Sequence, residues 1–262
     1  MSDSNGRTID NQQRRFKLTI AYDGSAFHGW QKQITADGGG LRTVAGELEK
    51  VLIRVLRQPV ELVGASRTDA GVHARGQIAH LDAVTTIPVD RLAQAITSRL
   101  PRDLEVLRAE LVPDTFHAIR DPRSKQYRYK IHNTLRRPLH QRHQVWHCWW
   151  PIDVSRMAEA AERLVGTHDF EGFSAAGHGR KSTVRTIHAC RVDRGREPMV
   201  EIVVEGDGFL YNMVRIIAGT LVEVGRGHLE STVIDRVLAS KNRQEAGPTL
   251  PPQGLWLEWI RY

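Results

Sequence analysis

Residues 64–73 read Gly-Ala-Ser-Arg-Thr-Asp-Ala-Gly-Val-His and follow the largely apolar segment 60–63. One carboxylate, Asp69, stands among small residues and two positions after the guanidinium of Arg67. A short valine-rich segment is typical of a β-strand, and small residues after it are typical of a loop. The sequence therefore predicts that Asp69 lies in a loop at the end of a strand.

The segments around this loop follow the order βαββαβ. Hydrophobic periodicity and helix-capping residues define them. The predicted elements are a strand at 16–22, a helix at 44–55 with Thr43 as N-cap, strands at 60–63 and 77–81, a helix at 92–100 with Asp90 as cap, and a strand at 104–111. This order is that of the ferredoxin-like unit, in which two helices cover one face of an antiparallel sheet.

The second half of the chain repeats these kinds of element. The predicted elements are strands at 127–131, 186–192, 200–205 and 255–260, and helices at 154–164 with Asp153 as cap, 210–224 and 232–238. We therefore predict an α+β fold of two ferredoxin-like halves, with largely antiparallel sheets, helices on one face and a basic cleft between the halves. The predicted organisation is a disordered tail at 1–14, a domain at 15–113 with the Asp69 loop, a connector at 114–125 and a decorated domain at 126–262.

Charge and cysteine content narrow the classes of function. The chain has 262 residues, with 37 lysines and arginines against 30 acidic residues, a net charge of +7. An excess of positive charge favours polyanionic partners. Two cysteines outside any CxxC spacing favour a reducing cytoplasm over a disulfide framework. No apolar run is long enough for a membrane span, and the first residues lack the apolar core of a signal peptide.

Several motifs stand out along the chain besides the segment 64–74. They are Tyr-Asp-Gly at 22–24, Phe-His-Gly-Trp-Gln-Lys-Gln at 27–33, Tyr-Arg-Tyr at 127–129, Met-Val-Arg at 213–215 and Pro-Pro-Gln-Gly-Leu at 251–255. Together these motifs are similar to those of one family, the tRNA pseudouridine synthase A (TruA) family. The resemblance covers roughly residues 16–262. The segment 36–41 looks inserted relative to the family pattern.

The resemblance implies an isomerase that converts uridine to pseudouridine at positions 38–40 of the tRNA anticodon stem-loop. By motif position, Asp69 is its nucleophile, Tyr127 contacts the uracil, Arg215 is the partner of Asp69, and Arg67 fills the stack that a flipped nucleotide leaves. The resemblance also implies a homodimer that binds tRNA and needs neither a metal nor a small-molecule cofactor.

The residues themselves give independent grounds for two of these roles. Arg215 stands among apolar neighbours, where a charge is costly unless it is paired, and a nearby guanidinium keeps a carboxylate ionised. The alternative is an arginine on the solvent face of an amphipathic helix. Tyr127 can stack on an RNA base, but its alternation with Tyr129 is also typical of core packing.

Two other functions remain open at this level. A tandem ferredoxin-like protein can be a non-catalytic RNA-binding protein. A metalloenzyme would use His140, His143, His147 and Cys148, although the arginines and tryptophans around them favour an RNA-contacting surface. His73 is expected to fix the Asp69 loop by a hydrogen bond rather than to bind a metal.

Overall fold

In a computed structural model the chain is described at residues 12–33, 39–175, 182–196 and 198–262. It forms two compact units, Met1–Pro122 and Arg123–Tyr262. Residues 1–11 of the predicted tail and residues 36–38 of the inserted segment 36–41 lie outside the described residues. Residue 14, predicted as the last of the tail, is the first residue of a strand.

The first unit has the βαββαβ order that the sequence predicts. Its elements are β1 (Arg14–Tyr22), α1 (Val44–Leu56), β2 (Val63–Gly64), β3 (His73–Ala83), α2 (Val89–Thr97) and β4 (Leu104–Val112). Strand β1 lies between β4 and β3, β2 pairs with β3, and all three pairings are antiparallel. The ferredoxin-like prediction is therefore confirmed for this unit.

The core of the first unit forms where the sheet meets the two helices. Alternate residues of β1 are almost completely buried, as the period-2 pattern predicts. They are Phe16, Leu18, Ile20 and Tyr22. Helices α1 and α2 bury apolar residues at helical spacing, and α2 packs on β4. As predicted, Thr43 caps α1, because its hydroxyl accepts a hydrogen bond of 3.3 Å from the Gly46 amide.

Three predicted elements of this unit differ from those observed. In the predicted strand 60–63 only Val63 belongs to a strand, whereas β3 begins at His73 because it pairs with β1 along most of its length. The second helix begins at Val89, and its N-cap, Pro88, makes no side-chain capping bond. Asp90 is therefore not the cap but lies in the first turn, where the helix dipole stabilises a carboxylate.

Residues 114–122, which the sequence assigns to a connector, pack against the first unit. Arg15 of β1 donates hydrogen bonds to the carbonyl oxygens of Asp114 and Phe116. The Ala118 amide donates a hydrogen bond of 3.2 Å to Nδ1 of His80, a buried residue of β3. These contacts extend the first unit to Pro122.

The second unit contains a second βαββαβ core with additions. Its elements are β5 (Ser124–Asn133), β6 (Trp146–Cys148), α3 (Val154–Glu162), β7 (Gly166–Asp169), β8 (Val184–Arg194), β9 (Met199–Gly206), α4 (Met213–Gly225), α5 (Val233–Ser240) and β10 (Leu255–Arg261). Their antiparallel order is β10-β5-β9-β8-β7, and β6 runs parallel to β5. Without β6, β7 and α5 this is the order of the first unit, so the predicted decorated copy is confirmed. No described helix has both the length and the apolar character that a bilayer crossing requires.

Candidate active site

The Asp69 loop, residues 65–72, joins β2 to β3 in the first unit. Asp69 is half-buried, its neighbour Thr68 is buried, and Ala70 is exposed. The Trp30 amide donates a hydrogen bond of 3.0 Å to the Thr68 carbonyl, and the Gly71 amide donates one of 3.3 Å to the Phe27 carbonyl. The backbone on both sides of Asp69 is therefore held by the segment that follows β1.

This close approach of two segments requires a glycine at position 29. Gly29 has a φ of +87°, and a Cβ atom there would lie 2.7 Å from the carbonyl oxygen of Thr68. A residue with a side chain would meet both backbone strain and a collision with the loop. The Phe-His-Gly-Trp motif thus supplies the surface on which the Asp69 loop rests.

A buried tyrosine supports the same loop from β1. The hydroxyl groups of Tyr22 and Thr68 are 2.8 Å apart and hydrogen-bonded. The Tyr22 ring packs edge-on against Phe27, with ring centroids 6.4 Å apart, and beside Trp30 at 6.3 Å. The aromatic residues of the first motif therefore position the residue immediately before Asp69.

His73 closes the loop at the start of β3. Its ring is fully buried, and Nδ1 accepts a hydrogen bond of 3.0 Å from the Gly24 amide. The prediction that His73 fixes the loop by hydrogen bonding is confirmed. Arg67, two residues before Asp69, has an exposed side chain.

The other two predicted site residues belong to the second unit. Tyr127 lies in β5 and is buried, and its ring packs edge-on against Phe209 with centroids 5.2 Å apart. Arg215 lies in the first turn of α4 and is half-buried. The described contacts therefore favour a partly enclosed guanidinium over the alternative of an arginine facing solvent.

Two groups that the sequence did not indicate hold the Arg215 guanidinium. Its Nε donates a hydrogen bond of 2.6 Å to the carbonyl oxygen of Leu250, and Nη1 donates one of 2.8 Å to Oδ1 of Asn212. Asn212 is the N-cap residue of α4 and has a φ of 60°, which is uncommon for a residue with a side chain. Such backbone strain is characteristic of functional sites.

Tyr129 fixes the chain next to Leu250. It is fully buried, and its hydroxyl donates a hydrogen bond of 2.8 Å to the Pro251 carbonyl. Burial raises the pKa of Tyr129 well above its ordinary value, although the positive charge of Arg215 opposes the shift. The phenol therefore stays protonated and acts as a donor. Gly254 leaves room for the ring, because a Cβ atom at that position would lie 2.7 Å from it.

The histidines and cysteine considered for a metal site are arranged differently. In the parts of the chain that the structure describes, no three or more histidine, cysteine or acidic side chains are grouped to hold a metal ion. His147 Nε2 is 2.8 Å from a backbone carbonyl oxygen, that of Thr134. Burial raises the pKa of the Cys148 thiol and so disfavours the thiolate that would bind a metal.

Comparison with known proteins shows the family of the chain. The family profile described as tRNA pseudouridine synthase matches residues 18–120 and 160–262. Curated relatives named tRNA pseudouridine synthase A include those of Thermoanaerobacter pseudethanolicus, 42% identical over 95% of this chain and 100% of the relative, and Moorella thermoacetica, 44% identical over 94% and 98%. That of Lactococcus lactis is 40% identical over 95% and 97%. Since both the profile and the relatives extend over most of both units, the chain belongs to the tRNA pseudouridine synthase family and is an isomerase.

Proposed function

We propose that this protein converts uridines at positions 38–40 of the tRNA anticodon stem-loop to pseudouridine, with Asp69 as the nucleophile. The observation that carries the proposal is the fixed Asp69 loop. Its backbone is hydrogen-bonded on both sides of Asp69, and the carboxylate between them is neither sealed nor fully exposed. A reacting group held in this way loses little freedom when the substrate binds.

The reaction exchanges one bond to the sugar for another. The bond between C1′ and N1 breaks, the uracil turns, and a bond between C1′ and C5 forms while the C5 proton is lost and N1 gains one. No electron donor or acceptor is needed. Asp69 in its ionised form attacks C1′ or C6, and the covalent link keeps the substrate in the site until the new carbon–carbon bond is made.

Arg215 is proposed as the charge partner of Asp69. Its support is the anchoring of the guanidinium by Leu250 and Asn212, which sets its orientation. A guanidinium has five N–H donors and pairs with a carboxylate in a planar geometry. Such a pair keeps a nucleophilic carboxylate ionised in a site from which water is partly excluded.

Tyr127 and Arg67 are proposed to handle the flipped nucleotide. A paired uridine must leave the stack before its C1′ or C6 is accessible, at a cost of about a few kcal/mol. Tyr127 contacts the uracil, as aromatic rings do in RNA sites. The exposed guanidinium of Arg67, two residues from the nucleophile, takes the place of the extruded base.

The proposal extends to the setting of the reaction. The net charge of +7 suits a tRNA substrate, and we propose a homodimer that acts in the cytoplasm without a cofactor. Both cysteines, Cys148 and Cys190, are buried free thiols, which suits a reducing compartment.

The test is to map pseudouridine in an unmodified tRNA transcript after incubation with the purified protein. We expect pseudouridine at one or more of positions 38–40 with the wild type and none with Asp69→Ala, while tRNA binding by the variant stays within about threefold. Asp90→Ala, which removes a carboxylate from the first turn of α2, is the matched control and should stay active. Product from Asp69→Ala would refute the nucleophile, and no product from the wild type would favour a non-catalytic RNA-binding protein.

A further inference from the structure

A row of aromatic rings begins on β5 and β6 of the second unit and continues into the two residues after β6, outside the residues assigned above. His132 and His147 have ring centroids 6.0 Å apart, and the His147 and Trp149 centroids are 5.9 Å apart. The Trp149 and Trp150 centroids are 4.3 Å apart, with the rings tilted by 36°. We call these four residues the aromatic row.

The aromatic row is held in place by neighbouring polar groups. The Asn133 side-chain amide donates hydrogen bonds of 3.0 and 2.8 Å to the carbonyl oxygens of Cys148 and Trp150. The Arg226 guanidinium lies 4.0 Å from the Trp150 ring centroid and is itself fixed by Glu223 at 2.8 Å. The cation–π contact with Arg226 holds the Trp150 ring, and Trp149 packs against that ring.

The row nevertheless remains accessible. Trp149 is 50% exposed and Trp150 is 36% exposed. Large aromatic residues are normally more buried than this, and an exposed pair of such rings marks a binding surface. Trp149, the more exposed of the two, is therefore the member of the row on which a ligand can stack.

Uncompensated positive charge precedes the row in the chain. Segment 134–145 carries exposed Arg136, Arg137 and Arg142 and no acidic residue. Within the described residues none of these three side chains pairs with a carboxylate, and the Arg142 guanidinium donates a hydrogen bond of 2.9 Å to the Leu139 carbonyl oxygen. Elsewhere in the same unit, arginines such as Arg128 and Arg163 pair with carboxylates. The ligand that suits this surface is therefore anionic.

We propose that the aromatic row and the three arginines bind RNA, with an unpaired base stacked on Trp149 and its neighbouring phosphates on Arg136, Arg137 and Arg142. Only an unstacked base offers a free face to an aromatic ring, and stacking combined with backbone phosphate contacts is the usual mode for single-stranded RNA. The inference rests on the proposed function, because that function supplies the RNA. The surface strengthens tRNA binding and takes no part in the chemical step.

A second copy of the chain suits this surface less well. Leu135 and Leu139 are exposed beside the arginines and would favour a protein contact. A symmetric contact between two copies would, however, bring together two sets of three unpaired guanidinium groups, and like charges at such an interface are repulsive. Dimerisation through this surface is therefore the competing outcome that the experiment must detect.

The experiment compares Trp149→Leu, which removes the aromatic face, with Trp149→Phe, which keeps one. The dissociation constant is measured with a labelled unmodified tRNA transcript at fixed salt, and the mass of each variant is measured in solution without RNA. Trp259→Leu is the matched control, because Trp259 also lies under an arginine, Arg261, but has no arginine-rich segment before it. Circular dichroism checks that each variant is folded.

We expect Trp149→Leu to bind tRNA about tenfold more weakly. Trp149→Phe and Trp259→Leu should stay within about threefold of the wild type, the mass should not change, and the single-turnover rate at saturating tRNA should be preserved. Replacing both Arg136 and Arg137 by glutamine should reduce the slope of log affinity against log salt by about 1 to 2. This second variant tests the surface even if Trp149→Leu does not fold.

Two results would overturn the inference. One is equal affinity for tRNA in wild type, Trp149→Leu and the double arginine variant. The other is weaker binding that accompanies a loss of mass, which would assign the surface to a second copy. A wild type that forms no pseudouridine would instead refute the proposed function, so the two failures are distinguishable.

Discussion

The side chain of Asn212 accepts a hydrogen bond of 2.8 Å from Nη1 of Arg215, and Asn212 has a φ of 60°. The strained residue is thus also the one that orients the guanidinium. Left-handed backbone at this position ends the preceding loop abruptly and places Arg215 in the first turn of α4. The geometry makes Asn212 a positioning residue for Arg215.

Replacement of Asn212 by glycine separates its backbone role from its side-chain role. Glycine tolerates a φ of 60°, so the fold should lose little stability, but the acceptor for Arg215 is gone. We expect kcat for pseudouridine formation to fall about tenfold, the equivalent of about 1.4 kcal/mol, with little change in KM for tRNA. Steady-state kinetics on a tRNA transcript measures both quantities.

Two further variants control this experiment. Arg57→Gly replaces another residue of positive φ, at the C-cap of α1, and should leave kcat unchanged. Asn212→Asp keeps the acceptor and should recover most of the activity. An Asn212→Gly enzyme as active as the wild type would show that Arg215 does not depend on Asn212 for its orientation.

Gly29→Ala tests the support beneath the Asp69 loop. The added methyl group would lie 2.7 Å from the Thr68 carbonyl and would occupy a residue with a φ of +87°. We expect a loss of about 1 to 3 kcal/mol in the free energy of unfolding, and a fall in activity as the Asp69 loop is displaced. Urea unfolding and pseudouridine formation are measured on the same preparation.

Gly40→Ala is the matched control, since a Cβ atom there meets nothing within 4 Å. It should change neither stability nor activity beyond the error of measurement. Wild-type stability and activity in Gly29→Ala would mean that the loop does not rest on this residue.

His80 makes the stability of the protein depend on pH. Burial lowers the pKa of His80, and the charges of Arg15 and His117 lower it further. In the unfolded chain His80 has the ordinary histidine pKa of about 6.5. Near this pH the unfolded state therefore binds more protons than the folded state. The free energy of unfolding should therefore fall as the pH decreases through about 6.5.

His80→Gln can still accept the hydrogen bond from the Ala118 amide but cannot take up a proton. Urea unfolding at pH 7.5 and 5.5 should show a smaller loss of stability in this variant than in the wild type. His140→Gln, at an exposed position, serves as control. An equally steep loss in His80→Gln would assign the pH dependence to other groups.

The periodic parts of the fold could be predicted from the sequence. Alternation in β1, the Thr43 and Asp153 caps and the apolar stripes of α1 and α3 are local signals, and each lies where predicted. The bounds of β3 could not be predicted in this way, because the length of β3 is set by its pairing with β1. Helix α4 was predicted from residue 210 but begins at Met213, after the left-handed Asn212, whose side chain accepts a hydrogen bond from Arg215.

The candidate site likewise has parts that the sequence predicts and parts that it does not. Asp69, Arg67, Tyr127 and Arg215 belong to recognisable motifs, whereas the contacts that hold them are largely made by backbone groups. The Thr68 and Leu250 carbonyls leave no trace in the identity of their side chains, so no pattern of residues indicates them. The glycine at position 29 is the signal in the sequence that fits the close approach of its segment to Thr68, because a side chain there would collide with the Thr68 carbonyl.

The shared strand order of the two units also shows what the Asp69 loop adds to the scaffold. The connection between β8 and β9 occupies the same topological place as the Asp69 loop, yet residues 195–198 suffice there, whereas residues 65–72 join β2 to β3. The β8–β9 hairpin of the second unit therefore closes without the longer loop that carries Asp69 in the first unit. On the proposed function, the reacting carboxylate was thus added by lengthening one turn of a scaffold whose other copy closes with a shorter one.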